Sequence, residues 1–340
     1  MRPIAEAYKD FPILHKEHNG HRVIYLDSGA TAQIPQSVID RVVEHMTQRN
    51  GNPHRGSHIL AIEASEDYEN ARDRVVEFIN AREREEVVFT RNSTESMNLI
   101  AHSYGLHNVK KGDKIVITVA EHHANLVTWQ YVAEQTGATL EYMYLDEHGH
   151  LKDGEINKID ENTKIVAFAH VSNVLGMEFP VKELTEKAHS VGAVVVLDGA
   201  QSTPHKKIDV QELDCDFFVF SGHKMCASQG IGVLYGKREL LEAMPPFLLG
   251  GDMIEYVKEQ TATFNELPYK FEAGTPNADG AVSLHAAIDY LESFGMDAIE
   301  AYEEELVAYI LPKIVALPHV HVIGSQNPKE KHGVIAFTVD

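Results

Sequence analysis

Cysteine is nearly absent from this 340-residue chain: it has two, too few for a disulfide framework, which fits a reducing compartment. In such a compartment the glycosylation sequon Asn92-Ser93-Thr94 carries no meaning. Positive charge is also scarce, with 30 Lys and Arg against 51 Asp and Glu, for a net charge of −21. So acidic a surface repels phosphate backbones and anionic lipid, and neither nucleic acid nor a membrane is expected as a partner. Long apolar runs are missing too. The longest strand-like one is Ala193–Leu197, far short of the roughly 20 residues of a membrane span. Charges interrupt the N-terminal MRPIAEAYKDFPILHKE, so it does not read as a signal peptide. No G-x-G-x-x-G or Walker lysine motif occurs, and neither does H-E-x-x-H or a paired C-x-x-C. The 20 histidines therefore lack ligand spacing, and adjacent His122 and His123 would point apart in an extended segment, so no metal is expected.

What is present is a globular composition, 44% hydrophobic and 24% charged, long enough for two domains. The expectation is a cytoplasmic protein, most simply an enzyme. Strand-like runs occur at Glu86–Thr90, Lys114–Val119, Thr139–Leu145, Lys164–Val171, Ala193–Leu197, Phe217–Phe220 and Ile231–Tyr235. Helical spacing lies between most of them, as at Ala61–Ile79 and Val181–Ser190. Asn92 with Glu95 predicts a capped helix running to about His107, and Gly192 predicts a helix stop. Apolar strands alternating with helices predict an α/β fold, its largely parallel sheet covered on both faces. After the turn-rich FEAGTPN (271–277) come two long helical patterns, Ala278–Phe294 and Met296–Ala316. Strand-like Val320–Ile323 and Gly333–Val339 come next, which predicts the start of a second, α+β domain.

Ligands of parallel sheets bind beyond the carboxyl ends of strands, so the polar residues there matter most. After VVVLD comes Asp198-Gly199-Ala200-Gln201, and after DFFVF comes Ser221-Gly222-His223-Lys224. Asn92-Ser93-Thr94, Glu121-His122-His123-Ala124-Asn125 and Ser172-Asn173 occupy the same place after three other strands. A lysine there suits Schiff-base chemistry if burial or neighbouring charge lowers its pKa. A strand-end carboxylate can hold a protonated pyridine nitrogen, and lysine with aspartate is the pairing that pyridoxal phosphate (PLP) enzymes require. Ser93 and Thr94 at a helix start offer hydroxyls and N–H groups to a phosphate. Singly, each has a plainer reading as a surface lysine, an N-cap or a helix cap. Their common placement after successive strands is what points to one shared site.

The segments YLDSGATAQIP (25–35), NPHRGSH (52–58), VFTRNSTESMNLIAHSYG (88–105) and EHHANLVTWQ (121–130) resemble the SUF-pathway (group II) cysteine desulfurases. So do HVSNVLGMEFP (170–180), VLDGAQSTPH (196–205), LDCDFFVFSGHKMC (213–226) and KFEAGTPN (270–277). These enzymes are class V aminotransferase-like, fold-type I PLP proteins. The resemblance implies a seven-stranded, mainly parallel large domain over residues 21–275. It also implies an N-terminal segment (1–20) packing with a small α+β domain that starts at 276. Lys224 would bear PLP, Asp198 would pair with the ring nitrogen and Gln201 with the ring oxygen. His122 would stack on the ring and assist proton transfer. Ser93, Thr94, Ser221 and His223 would hold the phosphate, joined by Thr275 from the partner subunit of a homodimer. Asn173, His54 and Arg55 would lie near the substrate, L-cysteine. The products would be L-alanine and an enzyme persulfide, whose sulfur passes to a SUF-type acceptor protein for iron–sulfur cluster assembly.

The resemblance also exposes departures. The family carries its attacking cysteine in an Arg-x-Gly-His-His-Cys loop downstream of a segment like GVIAFTVD, and a substrate-carboxylate arginine further on. Residue 340 comes before either, so the small domain is expected to be incomplete here. Cys215 and Cys226 read as small core residues. Ala227-Ser228-Gln229 replaces a Gly-Pro-Thr-like stretch beside Lys224, changing the backbone angles allowed there. Two alternatives to a desulfurase remain: a non-catalytic PLP-binding or scaffold protein, and a PLP lyase or epimerase that needs no enzyme thiol.

Overall fold

The computed structural model describes residues 3–340. Seven strands make one sheet: β1 (Val87–Thr90), β2 (Lys114–Thr118), β3 (Thr139–Met143), β4 (Thr163–Ala169), β5 (Val194–Asp198), β6 (Phe217–Ser221) and β7 (Gly232–Gly236). Their order is β1-β7-β6-β5-β4-β2-β3. Pairs β2–β3, β2–β4, β4–β5 and β5–β6 are parallel, whereas β1–β7 is antiparallel. The expected mainly parallel α/β sheet is therefore present. Every residue of β1, β6 and β7 is buried, which is why these strands read as continuous apolar runs rather than as alternation.

The longer helices are α1 (Gln36–Glu44), α2 (Ile59–Phe78), α3 (Ser93–Ile100), α4 (Val127–Thr136), α5 (Val181–Ser190), α6 (Ala278–Phe294) and α7 (Met296–Val315). After α3 the chain stays helical through a π-turn at Ala101–Gly105 and a last turn at Leu106–Asn108. Beyond α5, Gly192 adopts φ +77, the left-handed stop its position predicted.

The chain groups into two compact units, one running up to Asn92 together with 221–296, the other comprising 93–220 and 297–340. In the first unit α1 and α2 pack against α6. Helix α2 buries Ala61, Ala64, Tyr68, Ala71, Val75 and Phe78 at helical spacing, and each large apolar side chain so buried contributes about 1.5–3 kcal/mol. The N-terminal segment joins α6 through Asp10, which accepts from Tyr290 Oη at 3.0 Å, and Phe11, edge-on to the Tyr290 ring. This unit also holds a hairpin, β8 (Ile254–Val257) with β9 (Ala262–Phe264). Sequence pattern gives no sign of it, because its residues are largely exposed and leave no alternation to detect.

The second unit holds the parallel strands β2–β5 and ends in a short antiparallel pair, β10 (Val320–Val322) with β11 (Phe337–Val339). The strand expected over Gly333–Val339 is shorter than its pattern suggested. Its first residues are committed elsewhere: Gly176 presses against Val334 O, and His332 N donates to Gly176 O at 2.7 Å.

Candidate active site

Parallel register brings the informative strand ends to one edge. Ile117 of β2 lies opposite Ala167, Ala169 of β4 opposite Asp198, and Asp198 of β5 opposite Val219 of β6. The residues leaving that edge are Glu121 and His122, Ser172 and Asn173, Asp198 to Gln201, and Ser221 at the last position of β6. Asp198 is buried; its Oδ1 accepts from Ala200 N at 3.0 Å, and its carbonyl accepts from His170 N at 2.9 Å. The turn after it requires glycine, because a Cβ on Gly199 would lie 2.0 Å from the Phe218 ring. Gln201, Ser202 and Thr203 are buried behind that turn. Ser93 is buried and Thr94 exposed at the start of α3, where backbone N–H groups lack intrahelical partners.

His122 is exposed, and its Nδ1 accepts from Ala124 N at 3.1 Å, which leaves the ring proton on Nε2. The segment is not extended, as its sequence had suggested. His123 opens a short 3-10 turn, so the two imidazoles lie 5.8 Å apart rather than on opposite sides. Among the described residues no group of three or more His, Cys, Asp or Glu is placed to hold a metal. Glu121, part of the EHHAN motif but without an expected role, is buried beneath this turn. Thr118 Oγ1 donates to its Oε1, and Asn125 Nδ2 donates to its Oε2 at 2.7 Å. Burial pushes its carboxyl up to about 8, with the nearby charge of Asp198 acting in the same direction. Asn173 is half-buried in the loop after β4. Ser172 Oγ accepts from Leu175 N at 3.1 Å, and Lys331 Nζ donates to Leu175 O at 2.8 Å, fixing that loop.

In the first unit a 3-10 turn, Gly222–Lys224, leaves the end of β6. Gly222 N donates to Ile231 O at 2.9 Å, and a Cβ on Gly222 would meet Ile231 Cγ2 at 2.7 Å. The LDSGATA segment clamps the turn. Ala32 N and Thr31 Oγ1 donate to His223 O at 2.8 and 3.1 Å, and Tyr25 Oη donates to Thr31 O at 2.7 Å. Burial lowers the pKa of His223 and the Lys224 charge lowers it further, so the ring is neutral at neutral pH. The replaced stretch beside Lys224 fits without strain at Ala227, because the left-handed angles fall on Cys226 (φ +68) and Gly230 (φ +84). Ser228 N donates to Ser283 Oγ of α6 at 3.1 Å, anchoring the loop. Both cysteines are buried, and burial pushes the Cys226 thiol up to about 12.

The remaining expected residues cluster together in the first unit. His54 Nε2 is 3.1 Å from Glu69 Oε1, and Arg55 is ion-paired with Asp252. Gly251 O accepts from Gly274 N at 2.9 Å, beside the exposed Thr275. Glu272 roots this loop: Arg72 Nη1 and Nη2 donate to its two oxygens at 2.8 and 2.9 Å, Tyr68 Oη at 2.8 Å and Phe89 N at 2.7 Å.

Each unit holds groups of the kind PLP needs: the first an amine on a clamped turn, the second a buried strand-end carboxylate and a helix start carrying two hydroxyls. Residues 24–340 match the family described as aminotransferase class-V. A probable cysteine desulfurase of Halalkalibacterium halodurans is 50% identical over 98% of this chain and 82% of its own length. One from Synechocystis is 49% identical over 97% of this chain and 78% of its own. Among solved structures, the apo cysteine desulfurase of Thermococcus onnurineus superposes with a TM-score of 0.93 at 39% identity, covering all of this chain and 83% of that one. The Escherichia coli cysteine desulfurase CsdA, in an S-sulfonic acid form, gives 0.89 at 37% identity with the same coverage. The chain belongs to the class-V aminotransferase family and, within it, to the cysteine desulfurases.

Proposed function

We propose that this protein uses PLP to convert L-cysteine to L-alanine, the sulfur passing to an enzyme thiol as a persulfide for iron–sulfur cluster assembly. The observation that carries this reading is the register of Asp198 opposite Val219 on β6, the strand whose next turn bears Lys224. When bound, PLP supplies an electron sink for negative charge at the substrate Cα. Lys224, on the turn after β6, would hold PLP through its Nζ, and the same amine would move the substrate Cα proton. Asp198 would hold the ring nitrogen in its protonated form, and Gln201 would bond the ring oxygen. His122, with its proton on Nε2, would stack on the ring and assist proton transfer. Ser93, Thr94, Ser221 and His223 hold the phosphate, His223 as a neutral donor rather than a second cation beside Lys224. Asn173, His54 and Arg55 orient the substrate.

In the sulfur step a thiolate attacks the substrate sulfur. A sulfur–sulfur bond forms, the carbon–sulfur bond breaks, and the Cβ takes a proton to give alanine. That thiolate is assigned to the loop cysteine of the family rather than to Cys215 or Cys226, since both are buried and Cys226 holds its proton to about 12.

A homodimer belongs to the same reading. Ile24, Leu26 and Leu249, all in the first unit, are 82%, 90% and 73% exposed, and the hairpin adds Tyr256 and Val257. A second copy would cover these side chains and bring its Thr275 to the phosphate. The functional division is 1–20, 21–275 and 276–340, the first segment joined to the third by the Asp10 and Phe11 contacts with Tyr290. No helix of the described residues is long and apolar enough to cross a membrane, and the two free cysteines suit a cytoplasmic setting with a SUF-type sulfur acceptor.

Borohydride reduction of the PLP-loaded protein followed by peptide mapping should place the label on Lys224. A label on another lysine, or none on folded protein, would overturn the reading.

A further inference from the structure

Glu121 is a buried acid to which the proposed chemistry gives no task. Its carboxyl joins three elements. Thr118 closes β2, and Asn125 belongs to the turn that leads into α4. The amide of Ala169, the last residue of β4, also bonds to it. Asn125 Oδ1 in turn accepts from Trp129 Nε1 at 2.8 Å, and Thr118 Oγ1 accepts from Ala120 N at 3.2 Å. Ala169 is the residue opposite Asp198 in the sheet. His122 comes directly after Glu121, with its Nδ1 capping the next turn. One buried side chain therefore sets both the backbone that presents His122 and its distance from the strand edge that presents Asp198.

We propose that Glu121 is a positioning residue for the cofactor ring, fixing the His122 turn against the β4–β5 edge through hydrogen bonds alone. This rests on the PLP reading above. The carboxyl acts in its neutral form. Burial and the Asp198 charge together outweigh the hydrogen bonds from Thr118 and Asn125, so the proton is kept to about pH 8. Protonation reverses the bond to Thr118, whose hydroxyl can accept as well as donate, while Asn125 Nδ2 still donates to Oε2, and it leaves Asp198 as the charged carboxylate at that edge. A glutamine reproduces this pattern, with its amide donating where the acid proton did; an alanine leaves three buried polar groups without their partner.

The test compares wild type, Glu121→Gln and Glu121→Ala as full chains. PLP affinity is read by titration, and the emission of Trp129, the single tryptophan of the sequence, is read against pH without PLP. Wild type should show an emission change centred near pH 8 that Glu121→Gln lacks. Glu121→Gln should bind PLP within about threefold of wild type, and Glu121→Ala about tenfold or more weakly with secondary structure intact. Wild-type affinity in Glu121→Ala, or Glu121→Gln as weak as alanine, would overturn the proposal. Should Glu121→Ala not fold, a pH 8 transition that persists in Glu121→Gln would overturn it instead. Failure to label Lys224 in the wild type removes the cofactor reading and this proposal with it. Labelled Lys224 with unaltered Glu121→Ala affinity removes the proposal alone.

Discussion

Two buried glutamates, one in each compact unit, meet the cost of burial in opposite ways. Glu272 in the first unit faces the fully buried guanidinium of Arg72, which grips both of its oxygens. Burial by itself would lower the pKa of Arg72, yet the Glu272 charge and its hydrogen bonds hold it well above the usual value. Glu121 in the second unit is bonded by a hydroxyl and amides, and the charge that acts on it is another carboxylate, Asp198. The first arrangement matches charge with charge and anchors the loop before Thr275. The second gives up the charge and keeps the hydrogen bonds. A buried carboxyl thus anchors through charge where a cation reaches it and through hydrogen bonds where none does.

The sharpest way to break this contrast is to remove the cation. Arg72→Met leaves Glu272 facing an apolar side chain and should cost about 3–5 kcal/mol in urea unfolding at neutral pH. Adding Glu272→Met should recover most of that loss. The deficit should shrink as pH falls, because an unpaired buried carboxyl takes up a proton. A deficit that does not change with pH would mean that lost packing, rather than charge, set the cost.

His332 tests the intermediate case, a titrating cation between two acids. Its ring lies 3.5 Å from both Glu178 and Glu303. Burial and Lys206 work against its charge, but the two carboxylates prevail and raise it to about 9, while Glu178 and Glu303 are held well below the usual carboxylate range. With the folded value raised from 6.5, its contribution is complete below about pH 6.5 and disappears as pH rises through about 9. His332→Gln should therefore be on the order of 2 kcal/mol less stable at pH 6 and nearly equal to wild type at about pH 10, read by thermal unfolding. An equal deficit at both pH values would assign the loss to shape.

The smallest effect belongs to Cys226, a buried acid with burial alone acting on it. At about pH 8 iodoacetamide should leave the native protein unlabelled at Cys226 while labelling it in urea. Cys226→Ala should alter PLP affinity less than about twofold, within the usual range for a substitution that removes no partner. Fast native labelling would place the thiol in the site after all.

Much of this architecture was legible in the chain. All seven strands of the main sheet fall within two residues of their apolar runs, and α5 and α6 match their patterns end to end, because a covered parallel sheet leaves unbroken apolar signals. Asp198, Lys224 and Ser93 could be named as candidates because strand ends in such sheets are where ligands bind. The exposed hairpin at 254–264 left no such trace. Neither did the shortening of the last strand, decided by Gly176 and His332 from more than 150 residues apart. Glu121 stood in plain view in EHHAN, yet nothing in the sequence separates a buried acid from a surface one there.

The sequence by itself determined the kind of sheet, the family and the chemical types at its strand ends, since those depend on local pattern and residue identity. Tertiary structure alone decided which acids keep their charge. The ionisation of a carboxyl depends on how far it lies from water and from the nearest guanidinium, and packing sets both distances.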